Sequence, residues 1–455
     1  MMPLRRQLRI SHVGLRGVVG MGLEASHVLD FAAAFGTFLP SGPVVLGRDP
    51  RASGIMLREG VLASLLATGH DVADLGIVST PVIQHAIQRT GAAGGISIGA
   101  SHNSAEWNAL KFFGARGTYL STAEAGELLD IFHLKKFRYV DHLTLGKMRS
   151  DTEALDRYID GLAEVFDLES LARFKVLVDC CNGTSSLILR RLAERHGLNF
   201  ILINETLEGV AFAHEPATNR RMLSLQLAPL MRPLGADAGF LFDLDSDRVA
   251  IACENGAPVS EEMVLPMIAD YLLPGGPGKL VITNLSTTAL VEEVAGRHGG
   301  KVVRVPVGRQ AAMDALATYR PEMIALAGEG TGAVMMPQFR FVYDGIASML
   351  AILSLMRERG ATLSDIVNGY PRYSILKDEV PLVSQRVPAL MMELQRQCAD
   401  GIADMRDGLR ISWPERWFHV RVSQTEPVVR VICEQKGDPP TALFEALMDQ
   451  VRSMA

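Results

Sequence analysis

The chain has 455 residues, of which 48% are hydrophobic and 21% are charged, and its formal net charge is −6. This length exceeds what one hydrophobic core usually serves, so three or four domains are expected. The negative charge argues against a general nucleic-acid binder, which normally presents a basic face.

The cysteines and the N-terminal region indicate where the protein resides. The five cysteines are odd in number and lack metal-ligand spacing, which is typical of reduced thiols in a cytoplasmic protein. The N-terminus is basic, but no signal-peptide core follows it. Residues 31–47 carry no charge, yet Pro40 and Pro43 interrupt them and the run is short for a membrane span. We therefore predict a cytoplasmic protein that does not contact a membrane, with a buried helix and a strand in this run.

One pattern occurs three times along the chain, a buried apolar strand that ends in a polar, Gly-rich loop and lies between helices. The predicted strands of the three copies cover residues 44–46 and 96–98, then 176–178 and 239–242, then 280–282 and 323–326. Helices are predicted over 24–39 and from about residue 54. Apolar strands of this kind indicate sheets covered by helices on both faces, with ligands at the carboxyl ends of the strands.

The pattern changes after about Pro371. Two strands are predicted at 417–422 and 428–433 around a turn at 423–427, and an amphipathic helix covers about 440–454. These elements predict a smaller α+β domain.

A serine lies in a loop of small residues directly after the strand at 96–98. The loop reads Gly99-Ala100-Ser101-His102-Asn103. Small neighbours let a bulky charged group approach the backbone, and a hydroxyl there can act as a nucleophile or carry a phosphoryl group. The alternative is a serine that only caps the next helix.

Three aspartates follow the strand at 239–242 at alternate positions, Asp243, Asp245 and Asp247, with Arg248 after them. In an extended segment alternate side chains project to one side, so the carboxylates converge. Clustered carboxylates repel one another unless a hard cation neutralises them, and oxygen ligands suit Mg²⁺. The alternatives are a solvated acidic turn and a calcium loop without its distal glutamate.

Two later loops carry groups that suit a sugar and a phosphate. The loop Gly328-Glu329-Gly330-Thr331-Gly332 offers a carboxylate and a hydroxyl, or is an ordinary turn before a helix. Arg421 and Arg430 flank the turn at 423–427, where guanidinium groups match phosphate and turn amides form an anion-binding nest. The alternative is a pair of surface arginines beside a hairpin.

Cations occur beside the early loops. Arg16 lies in Gly14-Leu15-Arg16-Gly17, which we predict to be a flexible loop, and Lys111 follows the serine loop. Arg48 and Arg51 flank a further loop. These groups either balance a phosphoryl charge and assist proton transfer, or are surface charges.

In this order, the motifs resemble those of the α-D-phosphohexomutase superfamily, which includes phosphoglucomutases, phosphomannomutases and phosphoglucosamine mutases. The most specific stretches are Ala100-Ser101-His102-Asn103, Asp243-x-Asp245-x-Asp247-Arg248 and Arg421-x-Ser423-x-Thr425-Glu426-Pro427. The resemblance spans nearly the whole chain. It implies an α/β fold, with three related α/β domains whose mixed sheets lie between helices, and a smaller C-terminal α+β domain, heart-shaped around a central cleft. The expected domains are 1–148, 149–254, 255–370 and 371–455.

The resemblance also implies a role for each site residue. Ser101 would carry the phosphoryl group, with His102 and Arg248 beside it, and Mg²⁺ would be bound by Ser101, Asp243, Asp245 and Asp247. Lys111 and Arg16 would do the acid–base work. The substrate would be bound at its sugar by Glu329 and Thr331, and at the phosphate that is not transferred by Arg421, Ser423, Gln424, Thr425 and Arg430. The implied reaction passes through a hexose 1,6-bisphosphate, which also serves as activator.

The sequence departs from the family pattern at Gly99, where threonine is common, and at Val307-Gly308-Arg309, where some relatives carry a histidine. The nucleophile, the metal ligands and the phosphate arginines are all present, so we expect a working mutase, with glucosamine phosphate narrowly favoured over mannose and glucose phosphates. A non-catalytic phosphosugar-binding paralogue and a metal-dependent phosphatase that uses Asp243 and Asp245 are the competing hypotheses. The expected partner is a small phosphosugar, and the expected assembly is a monomer or homodimer.

Overall fold

Four β-sheets follow one another along the chain in a computed structural model, which describes residues 8–11, 13–207, 209, 211–276, 278–381, 386–423 and 428–454. Each sheet draws its strands from one continuous stretch of sequence. The three α/β repeats and the different C-terminal part are therefore confirmed. The domain boundaries at 148, 254 and 370 stay predictions.

The first sheet carries the serine loop. Its strands are β1 (Arg9–Ser11), β2 (Gly14–Val18), β3 (Val44–Arg48), β4 (Val72–Ile77), β5 (Gly94–Ile98), β6 (Trp107–Gly114) and β7 (Met148–Ser150). Its helices are α1 (Ala25–Phe38), α2 (Gly54–Ala67), α3 (Thr80–Thr90) and α4 (Thr122–Leu134). The strand order is β1-β2-β6-β5-β3-β4-β7, and β3 runs parallel to β5. The loops after β3 and β5 therefore leave the same edge of the sheet, which brings Arg51 close to Ser101.

The second sheet carries the aspartate loop. Its elements are α5 (Ala154–Val165), α6 (Leu168–Leu171), β8 (Lys175–Asp179), α7 (Ser185–His196), β9 (Asn199–Ile203), α8 (Arg220–Gln226), α9 (Ala228–Leu234), β10 (Ala238–Phe242) and β11 (Val249–Cys253). The strand order is β11-β10-β8-β9, and β10 pairs antiparallel with β11.

The third sheet carries the Glu329 loop. Its elements are α10 (Val264–Leu272), β12 (Leu280–Asn284), α11 (Leu290–Arg297), β13 (Lys301–Val305), α12 (Arg309–Thr318), β14 (Ile324–Gly328), β15 (Val334–Met336), β16 (Arg340–Tyr343), α13 (Gly345–Arg359) and α14 (Leu363–Asn368). The strand order is β13-β12-β14-β15-β16.

The fourth sheet is antiparallel in all its pairs of described strands. Its elements are β17 (Tyr373–Pro381), α15 (Val387–Gln397), β18 (Ile402–Asp404), β19 (Leu409–Trp413), β20 (Arg416–Val422), β21 (Val428–Lys436) and α16 (Thr441–Met454). The predicted strands and terminal helix are confirmed, whereas residues 424–427 of the predicted turn lie outside the described residues.

The apolar cores explain how these units are joined. One continuous cluster includes Ile83 of α3, Phe240 of β10 and Ile346 of α13, so it crosses the first three units. The fourth unit has a separate cluster around Phe418. No helix among the described residues has both the length and the apolar character to cross a bilayer.

One prediction for the first unit was wrong. Residues 14–17, expected to be a flexible loop, lie in β2, which pairs antiparallel with β6 and places Arg16 opposite Ala109. The physical reason is that Leu15 is fully buried between neighbours, so the segment gains more from strand pairing than its two glycines cost.

The Tyr158 hydroxyl fastens the second unit to the third. It donates to both oxygens of the Asp344 carboxylate, at 3.0 and 2.8 Å, and Asp344 caps the N-terminus of α13. We expect Tyr158→Phe to lower the free energy of unfolding by about 1–3 kcal/mol, because Asp344 keeps its burial and loses a partner. Urea denaturation measures this. Tyr139→Phe, at an exposed tyrosine, is the matched control and should leave stability unchanged.

Candidate active site

The Ser101 loop is held by one buried guanidinium. Arg51 donates to the backbone carbonyls of Ser101, Asn103, Ser104 and Trp107, and it pairs with the Asp49 carboxylate at 3.0 Å. Its side chain is fully buried. The loop thus bends around Arg51, and Ser101 itself adopts a left-handed backbone conformation with φ of 49°. Such a conformation is rare for a residue with a side chain and persists only where the surroundings enforce it.

The departure at Gly99 has a steric explanation. A Cβ at this position would lie 2.6 Å from Oδ2 of Asp49. The same oxygen accepts from Nε of Arg51 and from the amide of Ala100. Glycine therefore lets Asp49 sit directly beneath the serine loop, where a threonine would push it away.

The three aspartates lie in the hairpin loop between β10 and β11, where Phe242 pairs with Val249. The prediction of an extended segment was wrong, because a link between adjacent antiparallel strands must reverse direction; Ser246 turns it with φ of 59°. The carboxylates converge nonetheless. One oxygen from each of Asp243, Asp245 and Asp247 lies within 4.8 Å of the others, and all three side chains are buried.

Serine and lysine from the first unit meet this triad. The Ser101 hydroxyl donates to Oδ2 of Asp243 at 2.5 Å. The ammonium of Lys111 donates to Oδ2 of Asp245, which also accepts from the Thr80 hydroxyl at 2.8 Å. Burial lowers the pKa of Lys111, but the Asp245 and Asp247 carboxylates together with Tyr119 outweigh burial and raise that pKa above its ordinary value. Lys111 is therefore a fixed cation at the site.

Two oxygens of the triad suit a metal ion. Oδ1 of Asp245 and Oδ1 of Asp247 are buried and have no hydrogen-bond partner among the described residues, while Oδ2 of each is occupied by protein cations. Buried carboxylate oxygens without partners are costly. An all-oxygen set of this kind fits Mg²⁺. Both the type of donor atom and the unsatisfied oxygens of the triad therefore agree with a Mg²⁺ site.

Arg309 reaches the triad from the third unit. Its Nη2 donates to Oδ2 of Asp247 at 2.7 Å, and its Nη1 donates to the Tyr119 hydroxyl. Its guanidinium lies over the rings of Tyr119 and Tyr343, 5.2 and 5.1 Å from their centres. The stretch where some relatives carry a histidine thus supplies a cation to the aspartates.

The remaining predicted residues of the first two units lie around the same point. Arg16 donates to Oδ1 of Asn103 at 2.8 Å, and Nε of Arg248 lies 3.7 Å from Oδ1 of Asp247. Nδ1 of His102 lies 3.4 Å from the Ser101 hydroxyl, and its side chain faces solvent. Partial desolvation and the cations Arg248 and Arg16 lower the pKa of His102.

The sugar-loop candidates lie at the end of β14. The Tyr343 hydroxyl donates to Oε1 of Glu329 at 3.3 Å. The hydroxyl of Thr331 is buried without a hydrogen-bond partner in the described part of the chain. A Cβ at Gly330 would lie 2.1 Å from the Glu262 carboxylate, so only glycine fits between the two candidates.

The phosphate-site candidates lie on β20 and β21, where Arg421 and Arg430 are cross-strand partners. Arg421 is buried and its Nε donates to Oδ2 of Asp407 at 2.9 Å. Ser423 is buried at the end of β20. Gln424 and Thr425 lie outside the described residues. The triad and these arginines therefore lie in different units of the structure, the second and the fourth.

The chain matches three family models, described as phosphoglucomutase/phosphomannomutase alpha/beta/alpha domains I, II and III, over residues 9–139, 156–256 and 260–373. It is 31% identical to the phosphoglucomutase/phosphomannomutase of Thermococcus kodakarensis, over 93% of this chain and 94% of the relative. The chain belongs to the phosphoglucomutase/phosphomannomutase family. Enzymes so named are isomerases that act as intramolecular phosphotransferases, so the predicted superfamily and enzyme class are confirmed.

Further similarities support this family assignment. A probable phosphoglucosamine mutase of Pyrococcus abyssi is 33% identical to this chain, over 92% of each chain. A phosphoglucomutase/phosphomannomutase family protein of Burkholderia thailandensis, known from its crystal structure, superposes with a TM-score of 0.84 at 25% identity and covers 98% of this chain and 97% of its own.

Sequence reasoning offered Arg51 as a cation beside a phosphoryl group, whereas the structure shows it holding the carbonyls of the serine loop, and it assigned no role to Asp49, Arg309 or Asp407. Asp49 and Arg51 follow β3 directly, and a carboxylate and a guanidinium two residues apart at a strand end were a usable signal. No comparable signal marks Arg309 or Asp407, because Arg309 contacts Asp247 in the second unit and Asp407 accepts from the amide of Val307 in the third.

The His419 ring joins the fourth unit to the third. Its Nε2 donates to the Asp407 carbonyl at 2.6 Å, and its Nδ1 lies 2.8 Å from the Ser286 hydroxyl, which donates to Nδ1 when the ring is neutral. Burial lowers the pKa of His419 to about 4, below the ordinary value of about 6.5.

We expect this depressed pKa to make stability depend on pH. His419 binds a proton more tightly in the unfolded chain than in the folded protein. Its contribution to the free energy of unfolding is therefore complete above about pH 6.5 and is lost as the pH falls towards 4, by up to about 3 kcal/mol. Urea denaturation between pH 4.5 and 7.5 measures it. His419→Gln should flatten the profile, whereas His133→Gln, at an exposed histidine, should keep the wild-type slope.

Proposed function

We propose that this chain is a phosphohexose mutase that interconverts hexose 6-phosphates and hexose 1-phosphates through a phosphoserine at Ser101. The observation that carries the proposal is the Ser101 hydroxyl at 2.5 Å from Asp243, inside a triad in which two carboxylate oxygens have no hydrogen-bond partner in the described part of the chain. A nucleophile beside a metal-ligand set is the arrangement that phosphoryl transfer needs.

Each group near Ser101 has a part in the proposed reaction. The phosphoryl group passes from Oγ of Ser101 to the free hydroxyl of the hexose phosphate, which forms a hexose 1,6-bisphosphate. After this intermediate has reversed its orientation in the site, its other phosphoryl group passes to Oγ of Ser101. Lys111 and Arg16 neutralise charge and are the candidates for the acid–base work, in which the hexose hydroxyl loses a proton as its O–P bond forms and Oγ of Ser101 gains a proton as its P–O bond breaks. Mg²⁺, held by Ser101 and the three aspartates, would stabilise the developing charge on the phosphoryl oxygens.

The Glu329 loop and the residues on β20 and β21 would bind the parts of the substrate that do not react. The buried hydroxyl of Thr331, which has no hydrogen-bond partner within the described residues, and the carboxylate of Glu329 support binding of sugar hydroxyls. We assign the distal phosphate to Arg421, Ser423 and Arg430, together with Gln424 and Thr425. Two separated phosphate sites suit a substrate that must bind in both orientations.

Glucosamine phosphate is our favoured substrate, with mannose and glucose phosphates as the alternative. The named relatives divide between these activities at nearly equal identity. One differing contact to a sugar hydroxyl is worth about 1–3 kcal/mol, so a clear preference would be about 10- to 200-fold in kcat/KM. A coupled assay with glucosamine, mannose and glucose 6-phosphates, Mg²⁺ and hexose 1,6-bisphosphate measures it. Equal kcat/KM values for all three would contradict a glucosamine preference.

Ser101→Ala should reduce mutase turnover by about 10⁴-fold or more, because the group that carries the phosphoryl is gone. The same assay, with intact-mass detection of phosphoserine, measures this. Ser104→Ala, at an exposed serine of the same loop, is the matched control and should keep both activity and phosphorylation. Phosphate release that survives Ser101→Ala would favour the competing phosphatase, in which Asp243 is the nucleophile.

A further inference from the structure

Arg309 adds a permanent positive charge to a candidate metal ligand. Its Nη2 donates to Oδ2 of Asp247 at 2.7 Å, and its side chain is only 17% exposed. Because guanidinium does not lose its proton in proteins, this charge persists at any working pH. The rings of Tyr119 and Tyr343 both contact the guanidinium and help to hold it in position.

The cluster is already balanced by cations of the protein. Lys111 contacts Asp245 and lies 3.8 Å from Oδ2 of Asp247, and Arg248 lies 3.7 Å from Oδ1 of Asp247. Three cations of the protein, Lys111, Arg248 and Arg309, therefore lie against Asp245 and Asp247. Burial alone raises the pKa of Asp247, but Arg309, Lys111 and Arg248 together lower it below its ordinary value, with Arg309 the strongest of the three.

We propose that Arg309 is a positioning residue that holds Asp247 and weakens the affinity of the aspartate triad for a divalent cation until Ser101 carries its phosphoryl group. The inference rests on the proposed function, since it takes the triad as the Mg²⁺ site and Ser101 as the phosphoryl carrier. A phosphoryl group adds about two negative charges and so restores the attraction that the cations of the protein cancel. Phosphorylation of Ser101 then increases the affinity of the triad for the metal ion, and a bound metal ion stabilises the phosphorylated form to the same extent.

The geometry gives Arg309 this role without displacing the ligand atom. Arg309 occupies Oδ2 of Asp247, and Oδ1 keeps no hydrogen-bond partner within the described ranges. The guanidinium therefore changes the charge that a metal ion meets and fixes the orientation of the carboxylate. It also acts from the third unit, so the charge balance depends on how that unit packs against the other two.

The test is a titration of the full-length protein with Mn²⁺, followed by electron paramagnetic resonance, with Ser101 dephosphorylated. Arg309→Gln should bind Mn²⁺ about tenfold or more tightly than wild type, because a unit positive charge beside the site is gone. Arg309→Lys keeps the charge and should stay close to wild type. Tyr119→Phe is the matched control, since it removes the hydroxyl that Arg309 contacts and leaves the charge in place.

Phosphorylated and dephosphorylated wild type are compared in the same titration, which needs no substitution. Tighter Mn²⁺ binding by the phosphorylated form is expected, with a smaller gain in Arg309→Gln. Equal affinity of the two forms overturns the proposal. So does a folded Arg309→Gln protein that binds Mn²⁺ no more tightly, or equal tightening in Tyr119→Phe. Unchanged Mn²⁺ affinity with weaker binding of inorganic phosphate would make Arg309 a phosphate ligand instead.

Mutase turnover of the wild type is measured in parallel. Turnover without any effect of Arg309→Gln on Mn²⁺ affinity overturns this inference and leaves the proposed function standing. Tighter Mn²⁺ binding by Arg309→Gln in a protein without mutase activity overturns the function and keeps the charge effect. Absence of Mn²⁺ binding in every form overturns both.

Discussion

Three buried carboxylates in one hairpin loop are the constraint on which the rest of this structure depends. Asp243, Asp245 and Asp247 cannot be buried side by side unless opposite charges or hydrogen-bond donors satisfy them. No cation of their own unit does this alone. Lys111 arrives from the first sheet and Arg309 from the start of α12, so the three α/β units must pack around the loop before its charge is balanced. The shared apolar core supplies that packing.

Hydrogen bonds to one carboxylate, that of Asp407, connect the fourth unit to the backbone next to Arg309. Oδ2 of Asp407 accepts from Nε of Arg421 and also from the amide of Val307, which lies two residues before Arg309. Residues 307–309 therefore contact both sites, because the amide of Val307 binds Asp407 beside Arg421 and the side chain of Arg309 binds Asp247. Because the fourth unit has its own apolar core, its position relative to the third depends on polar contacts such as this one and the His419 bridge. Such contacts are weaker and more easily remade than a continuous core.

The serine loop illustrates a different solution to positioning a reactive group. Its carbonyls point inward to Arg51, which leaves the Ser101 side chain facing the triad with its backbone in a rarely populated conformation. The energetic cost of that conformation is offset by the hydrogen bonds of one buried guanidinium. The Asp49 carboxylate beneath it requires glycine at position 99. The nucleophile candidate and its unusual glycine are therefore consequences of the same ion pair.

The sequence by itself determined the class of fold and the family of this protein, because apolar strands of a few residues and polar loops after them are local patterns. The serine loop, the three aspartates and the paired arginines could also be predicted, since each is contiguous. Only the tertiary structure decided that residues 14–17 form a strand, that the aspartates lie in a hairpin turn, and that Arg51, Arg309 and Asp407 contact them or their neighbours. The physical reason is that strand pairing and the pairing of buried charges join residues that are far apart along the chain, and no local pattern records which partner each one meets.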